Sequence, residues 1–182
     1  MARLGILISG RGSNMMAIAH AIETQALNAT IAIVVSNNGN APGLEWAKTK
    51  NIKTVVSSDQ EQIAQQLKNE GVDWVILAGF MRILSKSFIR QFENRILNIH
   101  PSLLPKYKGL NAQEQALKAG ETMSGCTVHF VVEELDSGPI ILQKQVPIYS
   151  SDTVEKLSDR ILVQEHLVYP EAIKQVIKGV PT

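Results

Sequence analysis

The chain has 182 residues, of which 45% are hydrophobic and 19% charged, and its formal net charge is +1. That is enough apolar material for the core of one domain, or at most a domain with a long tail, and the neutral balance excludes a broad polybasic surface for nucleic acid. The single cysteine, Cys126, excludes an internal disulfide, and no apolar run approaches membrane-spanning length.

Leu4-Gly5-Ile6-Leu7-Ile8 is a short apolar run that ends in Ser9-Gly10-Arg11-Gly12. It reads as a buried parallel strand entering a glycine turn, not as a signal peptide. Met15, Ile18, Ala19 and Ile22 follow at helical spacing, with Ser13 or Asn14 as the expected N-cap. Residues 31–35 form a second strand, and a helix over about 43–50 follows Pro42. A third strand covers 53–56, an amphipathic helix 60–69 ends at Gly71, and Trp74 to Ala78 is a fourth strand. Ser85 caps a short helix to Phe92, and Ile96-Leu97-Asn98-Ile99 is a fifth strand. This alternation predicts the α/β class, a doubly wound, mostly parallel sheet with helices on both faces.

After a helix from about Leu110 to Lys118 the rhythm changes. Segments 126–133 and 140–148, separated by Asp136-Ser137-Gly138-Pro139, predict an antiparallel pair at an edge in the C-terminal part. Residues 153–178 are helical, with Pro170 expected to kink the helix or begin a second one. No repeat or linker divides the chain, which reads as one domain, 1–182.

Two segments carry chemistry. The turn Gly10-Arg11-Gly12-Ser13-Asn14 lies where a strand becomes a helix, so glycine backbone and unpaired helix N–H groups suit an anion. Met15 replaces the third glycine of a dinucleotide fingerprint, and Ser36-Asn37-Asn38 replaces its acid, so a monophosphate ester fits better than NAD or ATP. A plain capped turn is the alternative reading. In Asn98-Ile99-His100-Pro101, residues 98 and 100 share one face at the carboxyl end of a strand. An amide donor beside an imidazole suits a reaction that develops an oxyanion, whereas a hydrogen-bonded strand end is the structural alternative. Asp136 near His100 would favour the charged imidazole, although a turn-forming Asp is the commoner case. The loop Met81-Arg82-Ile83-Leu84 could wall a flat heteroaromatic ligand or simply pack on the core. Cys126 and His129 read as structural, His20 as a surface residue, and the scattered histidines give no metal motif.

Taken together, Gly12-Ser13-Asn14, 78–84, 98–105, Glu134 to Pro139 and Gln164-Glu165-His166 resemble the phosphoribosylglycinamide formyltransferase family, nearly end to end and in order. The resemblance implies a catalytic trio of Asn98, His100 and Asp136. It implies ribonucleotide binding by Gly12, Ser13, Asn14 and Glu165, and folate binding by Met81, Arg82, Ile83, Leu84 and Asn98. It implies formyl transfer from 10-formyltetrahydrofolate, a co-substrate, to glycinamide ribonucleotide in purine biosynthesis. No tightly bound cofactor and no metal are implied, and the setting is cytoplasmic, as monomer or homodimer, without nucleic acid or membrane partners. Asn111 and Gln113 stand where relatives often carry histidines, Leu162 where some have a polar residue, and the 57–61 loop lacks an arginine used near the folate tail.

The related readings are a formyltetrahydrofolate hydrolase, expected to carry an extra N-terminal regulatory domain, and a methionyl-tRNA formyltransferase, expected to carry a basic C-terminal domain. A non-catalytic nucleotide-binding module, with His100 structural, is the reading from another class.

Overall fold

The computed structural model describes residues 1–179 and divides into two compact units, Met1–Asn98 and Ile99–Thr182. The first contains β1 (Ala2–Ile8), α1 (Ser13–Glu23), β2 (Ala29–Ser36), α2 (Pro42–Thr49), β3 (Thr54–Val56), α3 (Gln60–Asn69), β4 (Trp74–Leu77), α4 (Lys86–Gln91) and most of β5 (Ile96–His100). Its strands are parallel and lie in the order β3-β2-β1-β4-β5. The chain therefore winds outward from β1 through β2 and β3, then returns to add β4 and β5 on the other side. Right-handed crossovers place the helices of the two halves on opposite faces, which is the doubly wound arrangement. Leu4, Ile6, Leu7, Ile8, Ile33, Val34, Val35, Val75 and Ile76 are buried, as strands covered on both sides must be.

The reversal creates a switch point between β1 and β4, where ligands bind in open α/β sheets. The loops that follow these two strands meet there. Ser9 N donates to the Gly79 carbonyl (3.1 Å), and Met81 N donates to Ser9 Oγ (2.7 Å).

The second unit holds α5 (Ala112–Lys118), β6 (Met123–Phe130), β7 (Ile140–Pro147) and α6 (Val154–Ile177). β6 and β7 pair antiparallel, as expected, with Met123 opposite Pro147 and His129 opposite Ile140. The pair begins three residues earlier than expected and stops at Phe130, leaving 131–139 as the connecting loop. α6 packs on both strands.

Two local expectations are corrected. The N-cap of α1 is Gly12, in the left-handed conformation (φ 71°), with no side-chain cap bond. A Cβ there would sit 2.9 Å from Met15 Cε, the far end of a flexible side chain that can move aside, so it is the positive φ that favours glycine. Pro170 neither ends nor restarts α6, which runs unbroken through it. Proline removes one helical hydrogen bond, but Val168, Tyr169, Ala172 and Ile173 around it are all buried, so tertiary packing holds the helix together. No helix among the described residues is long and apolar enough to cross a membrane.

Candidate active site

In the first unit the glycine turn is braced from three directions. Gly43 N, in the first turn of α2, donates to the Gly10 carbonyl (3.1 Å). A Cβ on Gly43 would meet Ile8 Cδ1 at 2.6 Å, so glycine permits this approach. Ser9 Oγ donates to Asn37 Oδ1, and Asn38 Nδ2 donates to the Ser9 carbonyl (3.4 Å). The residues at the end of β2 that replace a dinucleotide acid are thus engaged in holding the turn. Ser36 is fully buried and its hydroxyl bonds the backbone of Asn38. Beyond the turn, Ser13 and Asn14 occupy the first positions of an 11-residue helix, where N–H groups have no intrahelical acceptor.

The Met81–Leu84 loop leaves the same switch point. Leu84 is buried, while Met81 and Ile83 are 71% and 78% exposed. Gln60, the first residue of α3, holds the far end of this loop, as Ser9 holds its start. Its Nε2 donates to the Ile83 carbonyl (2.9 Å) and its Oε1 accepts from Ser85 N (2.7 Å). Two large apolar side chains are thus displayed on a fixed backbone, suited to an apolar face of a ligand. Asp59, in the 57–61 segment, serves as the N-cap of α3. Asn98 lies opposite Leu77, the last residue of β4.

Two residues beyond Asn98 on β5 is His100. Its ring is nearly buried, and Nε2 lies 2.8 Å from the Tyr107 carbonyl. A carbonyl can only accept, so the hydrogen of this bond is on Nε2. The other ring nitrogen, Nδ1, faces Asp136 Oδ2 at 3.4 Å. The expected meeting of His100 and Asp136 is therefore present, at a distance where charge matters but longer than a tight hydrogen bond. Asp136 has φ 48°, and its Oδ2 also accepts from Gly109 N (2.8 Å).

Backbone groups supply much of this geometry. The segment from Ser102 to Tyr107 is tied to the β6–β7 pair through Thr127 and Gln143. Thr127 Oγ1 donates to the Ser102 carbonyl (2.7 Å) and accepts from Leu104 N (3.1 Å). Gln143 Nε2 reaches both Thr127 Oγ1 and the Leu104 carbonyl (each 2.9 Å). Ser102 Oγ donates to the Lys106 carbonyl.

None of these braces was expected from sequence. Nor was His129, two residues from Thr127 on β6, whose Nε2 lies 3.7 Å from Asp136 Oδ1. Both are polar and fully or nearly fully buried, and their shared alternation on a strand is the signal that could have exposed them. Asn111 is the left-handed N-cap of α5.

Glu165 is buried on α6. Burial first, and the Glu165 charge second, push the Cys126 thiol up to about 12, so this cysteine is an inert core residue.

A doubly wound parallel sheet with a braced glycine turn at its switch point defines an α/β protein of the ligand-binding kind. The formyl transferase family model matches residues 2–173, and the chain belongs to that family. It is similar to the phosphoribosylglycinamide formyltransferase of Escherichia coli K12, at 44% identity over 96% of this chain and 86% of that protein. It is also similar to the trifunctional purine biosynthetic protein adenosine-3 of Bos taurus, at 46% identity over 98% of this chain. The chain spans 14–18% of the length of such trifunctional relatives. Among solved structures, glycinamide ribonucleotide transformylase 1 from Symbiobacterium toebii superposes with a TM-score of 0.96 at 44% identity, covering 98% of this chain and 89% of that one. Phosphoribosylglycinamide formyltransferase from Anaplasma phagocytophilum gives 0.94 at 48% identity, with 98% and 88% covered.

Proposed function

We propose that this chain transfers the formyl group of 10-formyltetrahydrofolate to the amine of glycinamide ribonucleotide in de novo purine biosynthesis, in the cytoplasm. The observation that carries this reading is the placement of His100, with Nε2 held by a backbone carbonyl and Nδ1 turned to Asp136. Family membership narrows the chemistry to formyl transfer, and the names of the relatives narrow the acceptor.

The chemistry then follows from the nitrogens. Nε2–H is engaged with Tyr107, so Nδ1 is the site that gives and takes a proton. The glycinamide amine attacks the formyl carbon, and the carbonyl oxygen gains negative charge. The Asn98 amide and a proton on His100 Nδ1 stabilise that oxygen. Asp136 Oδ2, 3.4 Å from the same Nδ1, faces the ring as its counter-charge. As the bond from the formyl carbon to the folate nitrogen breaks, His100 Nδ1 gives its proton to that nitrogen, and the proton lost by the attacking amine returns by way of the Asp136 carboxylate to the vacated Nδ1. Gly12, Ser13 and Asn14 hold the ribonucleotide phosphate at the start of α1, and Glu165 contacts the ribonucleotide. Met81, Arg82, Ile83 and Leu84, with Asn98, hold the folate. The folate is a co-substrate, so no tightly bound cofactor is required. The chain acts on these two small molecules alone, as a monomer or homodimer.

The decisive experiment follows folate absorbance with both substrates and with the ribonucleotide omitted. Turnover that requires glycinamide ribonucleotide supports the transferase. Formate release without it would identify a hydrolase, and no turnover would leave a binding module.

A further inference from the structure

Ser9 stands where β1 gives way to the glycine turn, and it is bonded in three directions at once. Its N–H donates to the Gly79 carbonyl (3.1 Å). Its carbonyl accepts from Asn38 Nδ2 (3.4 Å). Its hydroxyl donates to Asn37 Oδ1 and accepts from Met81 N (2.7 Å). A hydroxyl has one hydrogen and two lone pairs. With the hydrogen committed to Asn37, a lone pair is left facing the Met81 amide, so Asn37 aims the group that holds the loop.

The hydroxyl takes over a task that main-chain carbonyls perform earlier in the sheet. Leu7 lies opposite Leu77 in the β1–β4 pair, and Ala78 N donates to the Leu7 carbonyl (2.9 Å), as in any parallel ladder. At Met81 the acceptor is a side chain, because the Ser9 carbonyl has turned away toward Asn38. Between the two, Gly79 has φ 76° and open space where a side chain would be. Glycine leaves the chain free to swing there, so the start of the loop depends on what Ser9 holds. Any residue at position 9 would keep the bonds to Gly79 and Asn38, which use main-chain atoms of Ser9. Only the hydroxyl reaches Met81.

We propose that Ser9 is a positioning residue for the reaction: its hydroxyl, aimed by Asn37, sets the Met81–Leu84 loop in register with the Gly12–Asn14 turn. This rests on the reading of that loop and that turn as the folate and ribonucleotide sites, and it adds a residue assigned to neither. Two substrates held on neighbouring loops react only when amine and formyl carbon are aligned, and a misplacement of about 1 Å can cost about 10² in rate.

Three variants separate this role from simple bracing: Ser9→Ala, Asn37→Ala and the two combined. Ser9→Ala keeps both main-chain bonds, so its thermal unfolding is expected to stay near wild type. Its kcat/KM for 10-formyltetrahydrofolate is expected to fall about tenfold or more, while Kd for glycinamide ribonucleotide, measured by calorimetry, stays within about twofold. Asn37→Ala leaves the hydroxyl present but unaimed, and the same parameter falls less. The combined variant loses no more than Ser9→Ala alone, because both residues act through one bond. Hydrogen exchange at the Met81 amide speeds up in the same order, Asn37→Ala and then Ser9→Ala. Wild-type folate kinetics in Ser9→Ala, losses that add in the combined variant, or equal weakening of both substrates would overturn the proposal. Should Ser9→Ala fail to fold, unchanged Met81 exchange and folate kinetics in Asn37→Ala would overturn it as well. Absent turnover in wild type would retract the reaction itself, while Met81 exchange would still decide whether the Ser9 hydroxyl holds the loop.

Discussion

The Tyr107 carbonyl accepts a hydrogen bond from His100 Nε2 at 2.8 Å, and a main-chain atom thereby selects which ring nitrogen is left for chemistry. Tyr107 is itself in the left-handed region, φ 56°, so its carbonyl is aimed by an unusual backbone conformation. If His100 supplies the proton, His100→Ala will lose about 10²–10⁴ in kcat. Glycinamide ribonucleotide binding, measured by calorimetry, will stay close to wild type. Near-normal turnover in that variant would remove His100 from the chemistry.

Asp136→Asn tests the charge separately from the shape. Asparagine tolerates the left-handed backbone found at 136, and its side-chain oxygen can still accept from Gly109 N. Thermal unfolding should therefore stay near wild type, while kcat falls by at least about tenfold through loss of the carboxylate. Equal losses of stability and activity would point to a structural role alone.

Gly138 closes the same loop for a steric reason. A Cβ at this position would lie 1.8 Å from the Phe130 carbonyl oxygen and 2.8 Å from its carbon, both backbone atoms. Gly138→Ala must displace the turn that carries Asp136. We expect a loss on the order of 1–3 kcal/mol, read as a drop of several degrees in Tm, with a parallel loss of activity. An unchanged melting curve would contradict this account of the turn.

The buried groups set the stability-versus-pH curve. His129 is held below its ordinary value of 6.5, mainly by burial. The unfolded chain then binds the proton more readily, so its contribution is present above pH 6.5 and is lost as pH falls. The Arg160 guanidinium, hydrogen-bonded through both terminal nitrogens, holds Asp152 down to about 2. That contribution is present above about 3.8 and is lost as pH falls toward 2. Cys126 moves in the other sense, from 9.0 to about 12, so its contribution fades as pH rises through that window. Chemical denaturation across pH should show a fall on both sides of neutrality. In native protein at pH 8 the thiol should resist disulfide reagents and react at once in denaturant. Rapid labelling of the native form would mean that Cys126 is not enclosed.

How much of this was legible in the sequence depends on range. Residues 60–69 and the β1 run were recovered because helical periodicity and continuous burial are local signals. The pairing of β6 with β7 followed from the turn at 136–139. The Gly12 cap was missed because Ser13 and Asn14 are the stronger capping residues, and the left-handed backbone at 12 is set by the turn and not by residue periodicity. Pro170 was read as a break because propensity says nothing about the buried face around Tyr169. His129 was read as a structural residue, and Thr127 carried no reading beyond its place in a strand. The Tyr107 carbonyl has no side-chain signature at all, since any residue supplies one.

The ties from Thr127 and Gln143 to the Ser102–Leu104 backbone couple the aim of the imidazole to the integrity of a two-stranded ribbon. If His100 carries the proposed chemistry, turnover is a local thermometer: warming that frays β7 would silence it while α1 to α4 still gave an intact helical signal.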